Sequence, residues 1–184
     1  YHIVAWMKRF TEIVCDMYAN RIIKPMKTVV VRPGNLYGPY DKFDWEKSKV
    51  IPALIRRAVE RQDPFVVWGD GMDLKDFLYI DDYIDGMLLA MEKLDEFQPI
   101  NIASGQPLTI RDLLDEILKA ASYHDADVVY DASKPTMIPK RLIDISLAKK
   151  IFGWQPKVSI QDGIKKTVSW YEKTYRYKMP EDLT

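Results

Sequence analysis

Two kinds of side chain in this 184-residue sequence sit where they could do chemistry: amides and phenols just past a strand, and basic groups beside turns. Asn35 and Tyr37 follow Val29-Val30-Val31-Arg32-Pro33-Gly34 and precede Gly38-Pro39. In open α/β sheets ligands bind beyond the carboxyl ends of the strands, so these two polar side chains form a candidate site. A tight turn explains the same residues equally well. Among the basic groups, Arg57 and Arg61 fall one helical turn apart, a like-charge pair that an anion such as a pyrophosphate would relieve. Arg56, with Glu60 at i+4, reads as a helix ion pair. Lys75 lies just past the Gly69-Asp70-Gly71 turn, and Lys140-Arg141 follow Pro139. Arginine grips a phosphate bidentately and lysine acts as a point charge, so such points can converge on a diphosphate; solvated surface charge is the alternative for each. Trp68 beside the glycine turn could stack on a base or fill a core. Asn101 and Ser104, at another strand end, could cap a turn or hold ligand.

The inventory also excludes chemistry. Two histidines, His2 and His124, and one cysteine leave no zinc set and no Ser/His/Asp triad to propose. Cys15, amid apolar neighbours at helical spacing, is expected to be a buried structural thiol. Basic and acidic residues balance at 27 each, which removes a global field for nucleic acid or a membrane surface. The apolar runs are too short to span a bilayer and no signal-like segment opens the chain, so a soluble, cytoplasmic protein is expected. Because Tyr1 enters an amphipathic helix with no preceding cap or turn, the sequence reads as a fragment.

These residues must be positioned by alternating helices and strands. Val4, Met7, Phe10, Ile13, Val14, Met17 and Tyr18 recur at helical spacing from Val4 to Ala19, predicting a helix with one face on a core. Thr28 to Arg32 reads as a strand buried on both faces and ended by Pro33, with the residues after it in a loop. A helix from Ser48 to Arg61 carries Pro52 near its first turn. Phe65 to Trp68 is a strand closed by the glycine turn, from which Phe77 to Ile80 returns. Asp81 and Asp82 stand where carboxylates cap the free amides of a helix running through Met91. Pro99 to Ala103 and Val128 to Tyr130 are strands. Thr109 with Asp112 forms a capping-box start for the helix Ile110 to Ala121. Asp144 to Phe152 is a helix stopped by Gly153, and Ser159 with Asp162 caps a last helix through about Tyr177. The alternation is α/β. There is no Gly-rich dinucleotide fingerprint.

Arg32-Pro33-Gly34-Asn35-Leu36-Tyr37-Gly38-Pro39, Trp68-Gly69-Asp70-Gly71 through Lys75-Asp76-Phe77-Leu78-Tyr79-Ile80-Asp81-Asp82, and Asn101-Ile102-Ala103-Ser104-Gly105 occur in this order. Together they resemble segments of the extended short-chain dehydrogenase/reductase family, the NAD(P)-dependent epimerases, dehydratases and reductases of nucleoside-diphosphate sugars. The resemblance implies the C-terminal part of a Rossmann-type doubly wound sheet plus a small α/β substrate-binding lobe. Residues 1–40 and 76–105 would belong to the Rossmann-type domain, 41–75 and 106–178 to the lobe, and 179–184 to a tail. It implies NAD or NADP bound mainly by an N-terminal half absent from this sequence, with Lys8, Pro33, Asn35 and Leu36 on the cofactor side. It implies a nucleoside-diphosphate sugar held by Asn35, Tyr37, Val50, Arg57, Trp68, Lys75 and Arg141. The second segment corresponds to the family's nucleotide-binding hairpin, and a homodimer is implied through the helices around Lys8 and Ile84 to Met91. Neither nucleic acid nor membrane is implied as a partner.

Two positions depart from the family pattern. The catalytic Tyr-x-x-x-Lys would set a tyrosine one turn before Lys8, and Val4 stands there. Lys49 stands where an epimerase-reductase branch has a histidine acid, and it could donate a proton only with help from burial or a neighbouring cation. Lys8 and Lys49 are thus the candidate catalytic residues. The alternative is a catalytically lapsed sugar-nucleotide-binding module of the same fold.

Overall fold

In a computed structural model, residues 2–45, 47–134 and 138–175 are described. The order is α1 (His2–Asn20), β1 (Val31–Pro33), β2 (Asn35–Tyr37), α2 (Val50–Val59), β3 (Phe65–Trp68), β4 (Leu74–Lys75), β5 (Phe77–Tyr79) and α3 (Ile80–Lys93). There follow β6 (Ile100–Ile102), β7 (Leu108–Thr109), α4 (Ile110–Ala120), β8 (Val128–Asp131), α5 (Ser146–Phe152) and α6 (Ile160–Tyr175). The α/β alternation of the sequence is present. The last residues expected in the final helix, Arg176 and Tyr177, lie outside the described residues.

Four strand pairs carry the fold. β1 pairs in parallel with β6, β2 with β5 and β3 with β8, while β4 pairs antiparallel with β7. The segment after Pro33, expected as loop, is therefore strand β2. The chain changes partners at Gly34, whose N–H donates to Ile102 O, while the N–H of Asn35 donates to Asp76 O. No hairpin joins β3 to β5: each takes a parallel partner from elsewhere in the chain, and β4 lies between them in sequence. Val29 to Val31 are half-buried rather than fully buried, since among the described residues β1 is flanked only by β6.

Two apolar clusters form. The larger gathers Tyr37, Phe65, Phe77 and Tyr79 with α2 (Ile51, Leu54, Ile55), α4 (Leu113, Leu114, Ile117) and α6 (Ile164, Val168, Tyr171). The smaller holds Leu78, Ile100 and Ile102 against Ala90, Ala148 and Trp154. Alternate residues of β5 serve different clusters, Phe77 and Tyr79 one and Leu78 the other, as the period of two in a strand dictates. The two-sided burial is why Phe77-Leu78-Tyr79 is apolar throughout.

Local signals decide several helix ends. Thr109 Oγ1 accepts from Asp112 N–H at 3.0 Å while Asp112 Oδ2 accepts from Thr109 N–H at 3.4 Å, the reciprocal capping box. Ser159 Oγ likewise accepts from Asp162 N–H at 3.1 Å. Gly153 ends α5 in the left-handed conformation at φ 67°. α3 departs from expectation, for its N-cap Tyr79 makes no side-chain cap bond and Asp82 does not cap it. The buried Asp82 carboxylate instead accepts from Lys157 and Val158 N–H, at 3.1 and 2.9 Å, and clamps the entry to α6 onto α3. Arg61 has left α2 for a left-handed conformation at φ 52° and lies over the Tyr123 ring, so it does not form the expected helical pair with Arg57.

The expected core face of α1 is outward. Met7, Phe10 and Ile13 are 64, 66 and 50% exposed. What holds α1 is the antiparallel run of residues 26–32. Met26 N–H donates to Tyr18 O, Thr28 Oγ1 donates to Cys15 O, and Arg32 donates to Glu12. Cys15, expected buried, is half-buried and free.

Candidate functional site

The site forms where β1 and β6 end, β2 begins and the chain changes partners. Asn35 opens β2 at this fork. Its Nδ2 donates to Asp76 O at 2.7 Å, and its Oδ1 accepts from Arg141 Nη1 at 3.3 Å. The amide thus bridges the start of β5 to a guanidinium 106 residues further along the chain. Asp76, fully buried, holds the fork from below, because its two carboxylate oxygens accept from Ser104 and Gly105 N–H, each at 2.8 Å. A Cβ at Gly34 would meet Ala103 Cβ at 3.2 Å and Asp76 Oδ1 at 3.3 Å, so the crossing requires glycine or a compensating shift.

Arg141 is delivered by a strap. Leu74 N–H donates to Pro139 O at 2.7 Å, Arg141 N–H donates to Leu74 O at 2.9 Å, and Leu74 bridges Lys140 in parallel. Lys75 lies beneath this strap, its Nζ 2.9 Å from Asp73 Oδ2 and donating to Ile138 O. The Gly69 and Gly71 turn has positive φ at both glycines, 83° and 78°. A Cβ at Gly71 would stand 2.5 Å from Tyr130 Cε1, which fixes that turn against β8. Trp68, whose sequence reading left stacking and core both open, is 55% exposed at the end of β3.

Arg57 is half-buried, with Nη1 donating to Val66 O and Nε buried without a partner. Burial first, then the charge of Arg56, push its pKa down, and an incoming anion would relieve the repulsion between the two guanidinium groups. Arg56 is the structural one of the two. It is 3% exposed, donates to Phe43 O at 2.9 Å, lies over the Trp45 ring at 3.5 Å and keeps Glu60 at 4.0 Å.

Other predicted residues fall elsewhere. Tyr37, expected to face substrate, is 3% exposed and turned into the larger cluster, edge-on to Tyr79 at 5.7 Å and against Gly163 of α6. Burial raises its phenol pKa. The period of two explains this, since Asn35 and Tyr37 share one face of β2 and the fork is open only at its first residue. Pro33 and Leu36 are half-buried, and Leu36 packs on the smaller cluster. Val50 is 37% exposed at the start of α2. Lys49 is 67% exposed with Nζ 3.7 Å from Asp41, neither buried nor beside a cation as its acid role would ask. Lys8 is exposed on α1. Asn101 Nδ2 donates to Asp144 O, 43 residues on and just ahead of α5, while Ser104 Oγ donates to Gln106 O and serves its local turn. Glu12 and Asp76 carry no role in the sequence reading, and Asp82 carries only the helix-capping role that the structure replaces. A lone carboxylate beside an apolar strand, as at Asp76 before Phe77-Leu78-Tyr79, is the signal that could have found one of them. Among the described residues no His, Cys, Asp or Glu cluster fits a metal ion, and no helix is long and apolar enough to cross a membrane.

Parallel strands with helices between them and a polar fork at the carboxyl ends of β1 and β6 define an α/β protein of the Rossmann-like kind. The family model for the NAD dependent epimerase/dehydratase family matches residues 5–103, and the chain belongs to that family. It is 40% identical over 163 residues to GDP-L-fucose synthase 1 of Arabidopsis thaliana, covering 86% of this chain and 49% of the relative. It is 34% identical over 171 residues to GDP-L-fucose synthase of Escherichia coli K12, covering 86% and 52%. A solved UDP-glucose 4-epimerase of Thermotoga maritima with UDP-glucose superposes with a TM-score of 0.82 at 31% identity, covering 91% of this chain and 52% of that one. The chain thus spans about half the length of the relatives it matches.

Proposed function

We propose that the chain is the C-terminal, substrate-binding portion of an NAD(P)-dependent nucleoside-diphosphate-sugar epimerase/reductase or dehydratase. The observation that carries this is the junction of Arg141 with Asn35, which brings a guanidinium from a distant strap to the carboxyl end of the parallel strands. The identity to GDP-L-fucose synthases supports the reading, as does the bound UDP-glucose of the Thermotoga neighbour. Arg57, Lys75 and Arg141 would hold the diphosphate, Trp68 would stack on the base, and Val50 would border the sugar. Arg57 fits this role as a half-buried guanidinium repelled by Arg56, and Trp68 through its exposed ring. Asn35 would turn its amide from Arg141 toward the sugar when the diphosphate takes over the guanidinium.

The nicotinamide cofactor would be held mainly by an N-terminal half, with Lys8, Pro33, Asn35 and Leu36 on its nicotinamide side. When bound, it supplies or accepts the hydride at the sugar. Lys8 would contribute an ammonium to the nicotinamide ribose and Lys49 a donor at the mouth of the sugar site. The parent would be cytoplasmic and homodimeric, with the outward apolar side of α1 supporting a second copy as partner. A single peak of monomer mass in light scattering would remove the dimer.

The test is turnover of the intact polypeptide with a panel of sugar nucleotides, read by nicotinamide absorbance. R141A should raise KM by about tenfold or more, the scale of a lost charge-assisted contact, while cofactor affinity holds. No sugar nucleotide binding at all would overturn the proposal. The second reading, a catalytically lapsed module, is favoured by Val4, which is 55% exposed where the family places its tyrosine. Tight sugar-nucleotide binding without an absorbance change would select it.

A further inference from the structure

We propose that Glu12 and Arg32 form a positioning pair that sets α1 against β1 and thereby places Lys8 beside the Asn35 fork. The proposal rests on the function proposed above, in which Lys8 serves the nicotinamide ribose. Arg32 grips Glu12 with both arms of its fork, Nε to Oε1 at 2.7 Å and Nη2 to Oε2 at 2.6 Å. Arg9 adds Nη1 to Oε2 at 2.9 Å. A bidentate pair fixes rotation as well as distance, which one point charge cannot do.

The pair adds to two other ties of α1. Its broad apolar side faces outward, and its other ties to residues 26–32 are Met26 N–H to Tyr18 O and Thr28 Oγ1 to Cys15 O. Both lie toward the helix C-terminus. The Glu12–Arg32 pair ties the helix nearer its N-terminal half. The contacts run antiparallel, 18 with 26, 15 with 28 and 12 with 32. Lys8 stands one turn beyond Glu12 on the same face, about 6 Å further along the axis. The antiparallel run therefore carries Lys8 past Arg32, toward the end of β1 where Gly34 and Asn35 follow. The side chain of Glu12 is 13% exposed and that of Arg32 47%, so the carboxylate is the sheltered member of the pair.

The experiment is a double-mutant cycle in the intact polypeptide, with cofactor affinity and sugar-nucleotide affinity measured separately. E12Q keeps the shape of Glu12 and removes its charge. It should weaken NAD(P)H binding about fivefold to tenfold and leave sugar-nucleotide affinity within about twofold, since coupled neighbours interact on that scale. In a K8M background E12Q should change cofactor affinity by no more than about twofold, because it acts through Lys8. If E12Q lowers the melting temperature by more than about 5 °C, R32K, which keeps the charge and loses the fork, takes its place in the cycle. If K8M alone leaves cofactor affinity unchanged, the assignment of Lys8 fails and the positioning role with it. If K8M weakens the cofactor while E12Q is neutral, adds in full to K8M, or weakens both ligands alike, the positioning role alone is overturned.

Discussion

Replacing Asp76 with Asn tests whether the fork is built from one buried carboxylate. Asp76 is fully buried, and each of its oxygens accepts a backbone N–H, Ser104 and Gly105, at 2.8 Å. A hydrogen bond to a charged group contributes about 1.5–3 kcal/mol, and a buried donor left unpaired costs about 1–3 kcal/mol. Asparagine keeps one acceptor and turns an NH2 toward the other N–H, so one bond is lost and two donors face each other. D76N should therefore destabilise the fold by about 2–4 kcal/mol, a fall in Tm of roughly 5–15 °C for a chain of this size. Urea unfolding should show a lower midpoint at unchanged slope, because the surface exposed on unfolding is the same. The site should weaken as well, since Asn35 hangs from Asp76 O by two bonds, N–H at 3.2 Å and Nδ2 at 2.7 Å. A D76N variant within about 0.5 kcal/mol of the parent would refute the account of the fork, for that is the range of surface substitutions without structural consequence.

Three further outcomes are expected. G163A puts a Cβ 2.1 Å from Tyr37 Oη; the buried ring cannot swing away, so the variant should lose about 1–3 kcal/mol despite the better helix former, and Y37F should restore part of it in calorimetry. T109A removes the hydroxyl of the α4 capping box and should cost about 1 kcal/mol in urea unfolding, with α4 amides exchanging faster. The hydrogen bonds from Arg32, foremost among its causes, hold the Glu12 pKa at about 2 against an ordinary 4.5, so its stabilisation is complete above about 4.5 and is lost as pH falls toward about 2. With Arg32 half-exposed, the advantage over E12Q should be about 1 kcal/mol at pH 7 and vanish near pH 2; an advantage unchanged across that window in urea melts would contradict the pairing.

Sequence by itself determined the features encoded within one turn of chain. The Thr109/Asp112 and Ser159/Asp162 boxes, the Gly153 stop and the positive-φ glycines at 69 and 71 were legible because caps and turns depend on a few adjacent residues. The α/β alternation was legible for the same reason, and the motif order pointed to the family that the model match assigns. Tertiary structure decided which strand each strand found and where each polar side chain then pointed. Parallel pairing joins segments far apart in the chain, so nothing near Phe65 or Phe77 told that they would part and pair with β8 and β2. The packing of α6 then enclosed Tyr37 in the core while Asn35, on the same face two residues earlier, stayed at the open fork. Asp76, Asp82 and Glu12 took their partners 28, 75 and 20 residues away, distances at which spacing carries no signal. The apolar side of α1 satisfied the helical period, yet periodicity states only that a face is apolar and never what covers it.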